Sequence, residues 1–386
     1  MKLLVFSHKE CWKSKSSPTG WATDGGFAMH MDYLSKLFDS TKIIVPEIGG
    51  NEKGEVYFTN PTITIVPVKL FFKKGLLNKF FMPFWFLYYF PKFILEIIKC
   101  DAIHAPIPSN IGTVGFLLAH IFNKPLYIRH CGNWFVQRSV AERFWRWYME
   151  QFAGGKKVFL TTGGSDEAPS KINPNIKWIF SSSLTLNEIE HKNHTRDWSL
   201  PNKLCIVSRQ EYSKGAVLVI EALKILKDQG KVFYFDVVGN GGYLNKLKEL
   251  VNNLELNDQV VFHGKLNHLE VLNVLQQNHF FVFPTNAPEG FPKVVLEAMS
   301  QGLPVITTPV SVLEKLINTS KSGIILKERS AVEIASQLNS LSSNIELAVE
   351  MSENGINYAK QFTLEQWAKD IGFHLEQAWN VKLNEI

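Results

Sequence analysis

The chain has 386 residues, 45% hydrophobic and 20% charged, with a formal net charge of +5. That length suits two domains, each large enough for its own core, and the composition excludes a disordered or low-complexity protein. Four scattered cysteines, Cys11, Cys100, Cys131 and Cys205, form no CxxC pair, so a zinc site or disulfide framework is not expected and a reducing compartment fits best. The charge is unevenly shared: residues 1–196 carry +9 and the remainder −4, which points the first half toward something anionic. Zinc-finger, helix-turn-helix and RRM signatures are missing, so nucleic acid is not the expected partner. The opening MKLLVFSHKE turns polar too quickly for a signal peptide and reads as a first strand.

In chain order, a strand at Leu3–Ser7 leads into a polar loop from His8 to Asp24. Gly25-Gly26 then open a helix from Phe27 to Phe38, with apolar residues at Phe27, Met31 and Leu34. Glycines after a first strand let backbone approach a ligand closely. Ile43–Val45 and Ile63–Val66 read as further strands. From Val68 to Lys99 large aromatics alternate with Lys69, Lys73, Lys74, Lys79 and Lys92. The longest unbroken apolar run there, Phe80 to Pro91, is too short to span a bilayer. The composition suits a surface on an anionic membrane or around a lipid-linked acceptor, and equally helices packed on a sheet with lysines reaching outward.

A strand end at Asp101–His104, a helix near Ile111–Phe122 and a strand at Leu126–Arg129 follow, the last running into His130. Ligands of open α/β sheets bind beyond the carboxyl ends of strands, which makes His8, His104 and His130 candidates. Val158–Thr161 and Trp178–Phe180 complete the first half. The polar, patternless Glu188–Asn202 reads as the linker.

The second half starts again with a strand, Leu204–Ser208, then Arg209 and Lys214-Gly215, then an amphipathic helix, Ala216–Asp228. Phe233–Val238 ends in Gly239-Asn240-Gly241-Gly242, which lacks a full GxGxxG and lies on an interior strand, so NAD is not expected. A helix at Tyr243–Leu254, a strand at Val260–His263, a loop at Gly264–Asn267 and a helix through Val271–Gln277 come next. Phe280–Phe283 is a buried strand, followed by a loop with Glu289 and Gly290. Pro292 then starts a helix that carries Glu297 one turn in and stops at Gly302. Such a helix start is a ready phosphate site. The two carboxylates suit sugar hydroxyls, so this stretch reads as a nucleotide-sugar pocket. Repeated βα alternation predicts an α/β protein of two Rossmann-like domains facing each other across a cleft: 1–196, joined by a returning C-terminal helix near 363–386, and 197–362.

Four elements in order, Gly25-Gly26, His130, Arg209-x4-Lys214-Gly215 and Glu289-x7-Glu297 in EGFPKVVLEAMSQGLPVI, resemble the retaining nucleotide-sugar glycosyltransferases of GT-B fold, family 4 type. The resemblance is most specific from Ile206 to Ile306. It implies transfer of a hexose or N-acetylhexosamine from a nucleoside-diphosphate sugar to a glycan or lipid-linked acceptor, in polysaccharide or glycolipid synthesis. Arg209 and Lys214 would neutralise the donor diphosphate as fixed cations in place of a metal. The chain lacks DxD, so neither metal nor cofactor is expected. Glu297 would bind the ribose and Glu289 the donor sugar. Backbone N–H groups of Gly290, Phe291, Pro292 and Lys293 (proline excepted) would hold sugar and phosphate oxygens. Gly26 would let its loop close on the diphosphate, His130 would meet the sugar near its reacting carbon, and Lys265 and Leu266 would meet the base. Ser208 stands where the family has glycine and Cys131 where it has an acidic residue. The implied mechanism is same-face substitution, the implied location the cytoplasm and the inner membrane face. The alternatives are a nucleotide-sugar epimerase of the same fold and a non-catalytic nucleotide-sugar-binding subunit.

Overall fold

Two parallel sheets carry the chain, one in each of two units: Met1–Ser183 with Leu364–Ile386, and Leu184–Thr363. The structure is a computed structural model. It describes residues 1–49, 56–70, 76–132, 134–137, 139–164, 167–190, 196–287 and 291–386, with backbone alone for 76–80.

In the first unit seven parallel strands lie in the order Ile176–Ile179, Lys157–Thr162, Leu126–His130, Ala102–Ile107, Lys2–Phe6, Ser40–Pro46, Ile63–Val68. The first strand in sequence sits inside the sheet and the chain winds outward from it in both directions. A topological switch point therefore falls between Lys2–Phe6 and Ala102–Ile107. Side chains alternate across the sheet. Leu4 and Phe6 join one core with Trp85, Phe93, Phe116 and Trp145. Those residues come from the helices Leu76–Lys99, Asn110–Ile121 and Val140–Phe152. Leu3 and Val5 join the other, with Leu34 of Phe27–Lys36 and Trp367, Ile371 and Leu375 of Leu364–Trp379. That last helix is pinned by Trp379, whose indole donates to the Lys156 carbonyl at 3.0 Å, and by Tyr33 donating to Glu365 at 3.1 Å.

The stretch expected as a polar loop, His8 to Asp24, holds two short strands instead. Cys11–Lys13 pairs antiparallel with Trp21–Thr23, which pairs with Val56–Tyr57. Three-residue strands are too short to show a period, but Cys11, Trp12, Ala22 and Thr23 are all buried. The aromatic segment is one helix, Leu76–Lys99, with Pro83 and Pro91 inside it. Its residues Phe81–Lys99 have a mean hydropathy of 1.3, enough by length and composition to cross a membrane, so the helix is longer than the unbroken apolar run implied. In this fold it is the crossover between Ile63–Val68 and Ala102–Ile107. Trp85 donates to the Lys69 carbonyl at 2.9 Å, Lys92 to the Pro67 carbonyl at 2.9 Å, and Lys42 pairs with Glu96 at 2.5 Å.

The second unit has six parallel strands in the order Val260–Gly264, Tyr234–Val238, Lys203–Val207, Phe280–Phe283, Val305–Thr307, Gly323–Ile325. The winding repeats that of the first unit, with the switch point between Lys203–Val207 and Phe280–Phe283. The division of the chain falls earlier than residue 196. Leu184 and Ile189 are buried in the second unit's core, and Leu186–Glu190 is a helix of five residues, too short for a pattern. Arg196, within the expected linker, is mostly buried and donates to the carbonyls of Gln301 at 2.9 Å and Gly302 at 2.5 Å. It thereby caps the end of the helix Lys293–Ser300.

Candidate functional site

At the carboxyl edge of the second sheet, backbone packs on backbone. Gly215 has φ +87°, and a Cβ there would lie 2.4 Å from the Pro284 carbonyl oxygen, so only glycine lets the Lys214 turn meet the end of Phe280–Phe283. The Asn286 N–H donates to the Ser213 carbonyl at 2.9 Å, and Arg329 ties the Pro284 carbonyl at 2.7 Å. The glycine cluster has a related task. A Cβ on Gly239 would fall 1.9 Å from the Ser208 oxygen, and one on Gly241 2.3 Å from the Gln210 oxygen. Buried Gln210 then fastens the loop, its amide donating to the carbonyls of Ser208 at 3.0 Å and Val238 at 2.9 Å.

Among the described residues, the predicted ones of this unit follow the carboxyl ends of its strands. Arg209 is exposed just past Lys203–Val207. Lys214 ends the turn Tyr212–Lys214, its ammonium 5.7 Å over the Phe283 ring. The helix Ala216–Asp228 starts directly behind it, adding backbone N–H groups to two cations. Lys265 is exposed, and Leu266 packs on the core below. Phe291 packs near Phe362, 5.9 Å between ring centres. Buried Pro292 is the N-cap of Lys293–Ser300 and offers no side-chain cap. It stands one residue ahead of the helix instead of inside its first turn. Glu289 and Gly290 lie outside the described residues.

Glu297 is buried on that helix and belongs to a cluster that sequence reasoning missed. His268, first residue of the helix His268–Gln277, sets Nε2 3.2 Å from Glu188 and Nδ1 3.5 Å from Glu297. Burial by itself disfavours charge on the ring, but the hydrogen bonds and charges of the two carboxylates outweigh it and hold His268 up at about 9. Burial likewise opposes the Glu188 carboxylate, which His268 and the Thr185 donors nonetheless hold below the usual range. The one signal in the sequence was the Asn267-x-x-Glu270 capping box, which fixes where this helix starts.

In the first unit Gly25 and His130 are placed differently. Gly25 has φ +65° with open space around it, and Gly26 has φ −76°, so the backbone requirement for glycine falls on Gly25. Gly26 is the N-cap of Phe27–Lys36, and its carbonyl lies 2.6 Å from His30 Nδ1. His130 ends Leu126–His130 and is 1% exposed. Neither ring nitrogen has a hydrogen-bond partner among the described residues. Burial pushes its imidazole down to about 4, so the ring is neutral at physiological pH, a hydrogen-bonder without charge. His104 differs: Nδ1 lies 3.1 Å from the Tyr127 carbonyl and the ring stacks on Tyr127, a structural role.

His8 lines a cavity of about 460 Å³ at this unit's switch point, together with Lys9, Glu10, Asp24, Ser109 and Asn110; Leu70 and Met82 add an apolar wall. On the outer side of the three helices covering one sheet face, large apolar residues are exposed. Phe84, Leu87, Tyr88, Leu95 and Ile98 form a stripe on Leu76–Lys99, Leu117 and Ile121 on the next helix, and Val140, Phe144 and Trp147 on the third. The carboxylates of these helices are engaged within the protein, Glu96 with Lys42, Glu142 with Ser139 and Glu150 with Arg146, while Lys99 and Arg143 are exposed.

Two doubly wound Rossmann-like units of this kind define a GT-B architecture. HepE of Anabaena, solved with UDP and glucose, shares that fold: TM-score 0.68 at 17% identity, over 97% of this chain and 99% of HepE. Residues 189–358, which make up most of the second unit, match the family Glycosyl transferases group 1. Among curated relatives, the putative colanic acid biosynthesis glycosyltransferase WcaL of Escherichia coli is 33% identical over 147 residues, 37% of this chain and 36% of WcaL. This chain thus spans about a third of the length of that relative. An uncharacterized glycosyltransferase of Methanocaldococcus jannaschii is 24% identical over 362 residues, 89% of this chain and 92% of the relative.

Proposed function

We propose that the chain is a retaining glycosyltransferase. It moves a hexose or N-acetylhexosamine from a nucleoside-diphosphate sugar to a glycan or lipid-linked acceptor in cell-surface polysaccharide or glycolipid synthesis. The observation that carries this is the second unit's edge, where exposed Arg209 follows the strand Lys203–Val207 and Lys214 ends a backbone-locked turn at a helix start, beside the strand that leads to Glu297. In this reading the two cations neutralise the diphosphate as the sugar bond breaks, so no metal is needed. Glu297 accepts the ribose hydroxyls, Glu289 those of the sugar, and the segment Gly290–Lys293 holds sugar and phosphate oxygens. Lys265 and Leu266 meet the base, Gly25 and Gly26 shape a loop that approaches the phosphates, and neutral His130 accepts or donates a hydrogen bond near the reacting carbon. UDP bound to the structural neighbour makes uridine the first base to test.

The polar cavity of the first unit, with its apolar wall, suits the hydroxyls and the lipid of an acceptor. The exposed apolar stripes beside Lys99 and Arg143 suit an anionic membrane, which fits an enzyme at the inner face of the cytoplasmic membrane. The test is incubation of the protein with UDP-, GDP- and ADP-sugars and lipid-phosphate or oligosaccharide acceptors. The expected result is nucleoside diphosphate released together with a glycoside of unchanged anomeric configuration. Inversion would remove the retaining assignment. Release of an epimerised free sugar without acceptor would replace the reading with an epimerase.

A further inference from the structure

His268 lies next to the proposed nucleoside pocket, and its geometry is specific. Its ring nitrogens point at two different carboxylates, Nε2 at Glu188 and Nδ1 at Glu297. A neutral imidazole carries one N–H and can satisfy one of them; donating to both requires the protonated ring. Each partner is itself held. Glu188 accepts from the Thr185 N–H at 2.8 Å and hydroxyl at 3.0 Å, and Glu297 is buried within Lys293–Ser300. The ring's position is set by the helix start, where Asn267 accepts from the Glu270 N–H at 3.0 Å and Glu270 from the Asn267 N–H at 2.8 Å. A cation in the first turn of a helix is unfavourable against the helix dipole, so the two carboxylates have to offset that as well. Among the described residues, the charged groups acting on the ring are Glu188, from the helix Leu186–Glu190, and Glu297, from Lys293–Ser300; Glu270 on its own helix is turned to the cap. Removing one member of a buried charged pair leaves the other's charge less compensated.

We propose that His268 is a positioning residue: bridging Glu188 and Glu297, it holds the Glu297 carboxylate in one orientation, so that Glu297 can accept both ribose hydroxyls of the donor. This rests on the assignment of Glu297 to the ribose. It adds that nucleotide affinity, and the preference for ribose over deoxyribose, depend on a side chain that itself does not touch the ligand.

The experiment is calorimetric binding of UDP and 2′-deoxy-UDP from pH 6 to 10 to wild type, His268→Gln and Glu188→Gln, with NMR titration of the His268 ring. In the wild type, UDP affinity and the preference for UDP over the deoxy form should hold to pH 8 and fall about tenfold as the ring loses its proton. His268→Gln should be weakened about tenfold at pH 7, flat with pH and indifferent to the 2′-hydroxyl. Glu188→Gln, which leaves the histidine in place, should move both the NMR midpoint and the binding transition to lower pH together. A His268→Gln protein that keeps the wild-type pH profile and ribose preference overturns the proposal. So does an NMR midpoint unmoved by Glu188→Gln. Failure of the wild type to bind UDP, GDP or ADP at millimolar concentration overturns the pocket assignment itself, and this inference with it; it is told apart by the absence of any wild-type signal.

Discussion

The two units wind their sheets in the same order, yet their carboxyl edges are built from different material. In the second unit the edge is backbone against backbone: glycines at 215, 239 and 241 sit where a Cβ would collide with a carbonyl. In the first unit the corresponding edge is a cavity lined by side chains, with Gly25 in open space and His130 buried but unbonded among the described residues. One topology thus supports two kinds of site. The first kind is a rigid, sequence-coded frame that would position the donor in the proposed reading. The second leaves room whose selectivity would rest on a few exchangeable side chains.

The largest expected effect lies on the rigid side. Lys214→Ala should lower kcat for sugar transfer by about 10²–10³, roughly 3–4 kcal/mol, with little change in thermal stability. A loss of folding instead of rate would mean that the lysine is part of the frame and not of the chemistry. Next come the glycines, which set the two edges directly against each other. Gly239→Ala should destabilise the fold by about 3 kcal/mol, through a strained φ and a direct clash with the Ser208 carbonyl. Gly25→Ala should cost only about 1 kcal/mol, from the positive φ alone. Urea unfolding of both variants checks this, and equal losses would erase the contrast.

A smaller effect is the pH dependence of the second unit. The folded value of His268 lies above its unfolded one, so its contribution is complete below about pH 6.5 and is lost as pH rises through about 9. Melting temperature should therefore drop by several degrees between pH 7 and 10, and that part of the drop should be absent from His268→Gln. The smallest effect is at the outer helices of the first unit. Leu87→Ser with Tyr88→Ser should reduce sedimentation with phosphatidylglycerol vesicles several-fold while leaving donor hydrolysis unchanged. Unaltered sedimentation would assign the stripe to another partner.

What could be read in the sequence follows the same division. The strands Phe280–Phe283 and Val305–Thr307 and the helix Ala216–Asp228 fall at the residues their patterns imply, because buried parallel strands are continuous apolar runs and the helix has a clean period. Lys214-Gly215 was legible because a glycine forced by a close approach leaves a motif. The strand pair Cys11–Lys13 and Trp21–Thr23 was not legible, since three residues carry no period. The His268 bridge was not legible either. Glu188, His268 and Glu297 are brought together by the packing of three helices, a relation that no local spacing encodes. The five-residue helix holding Glu188 was hidden in what read as linker. The exposed aromatic stripe was visible as composition, but only the helix's orientation on the sheet separates its outer face from its core face.

The central claim is that the second unit's edge binds a nucleoside diphosphate through Lys214. The most direct measurement is a thermal-shift titration of wild type and Lys214→Ala with UDP, GDP, ADP and their common sugars. The account predicts that one base stabilises the wild type, by about 2.7 kcal/mol at a hundred times its dissociation constant, and leaves the variant unmoved at the same concentration. Equal stabilisation of both proteins, or none of the wild type at millimolar nucleotide, would contradict it.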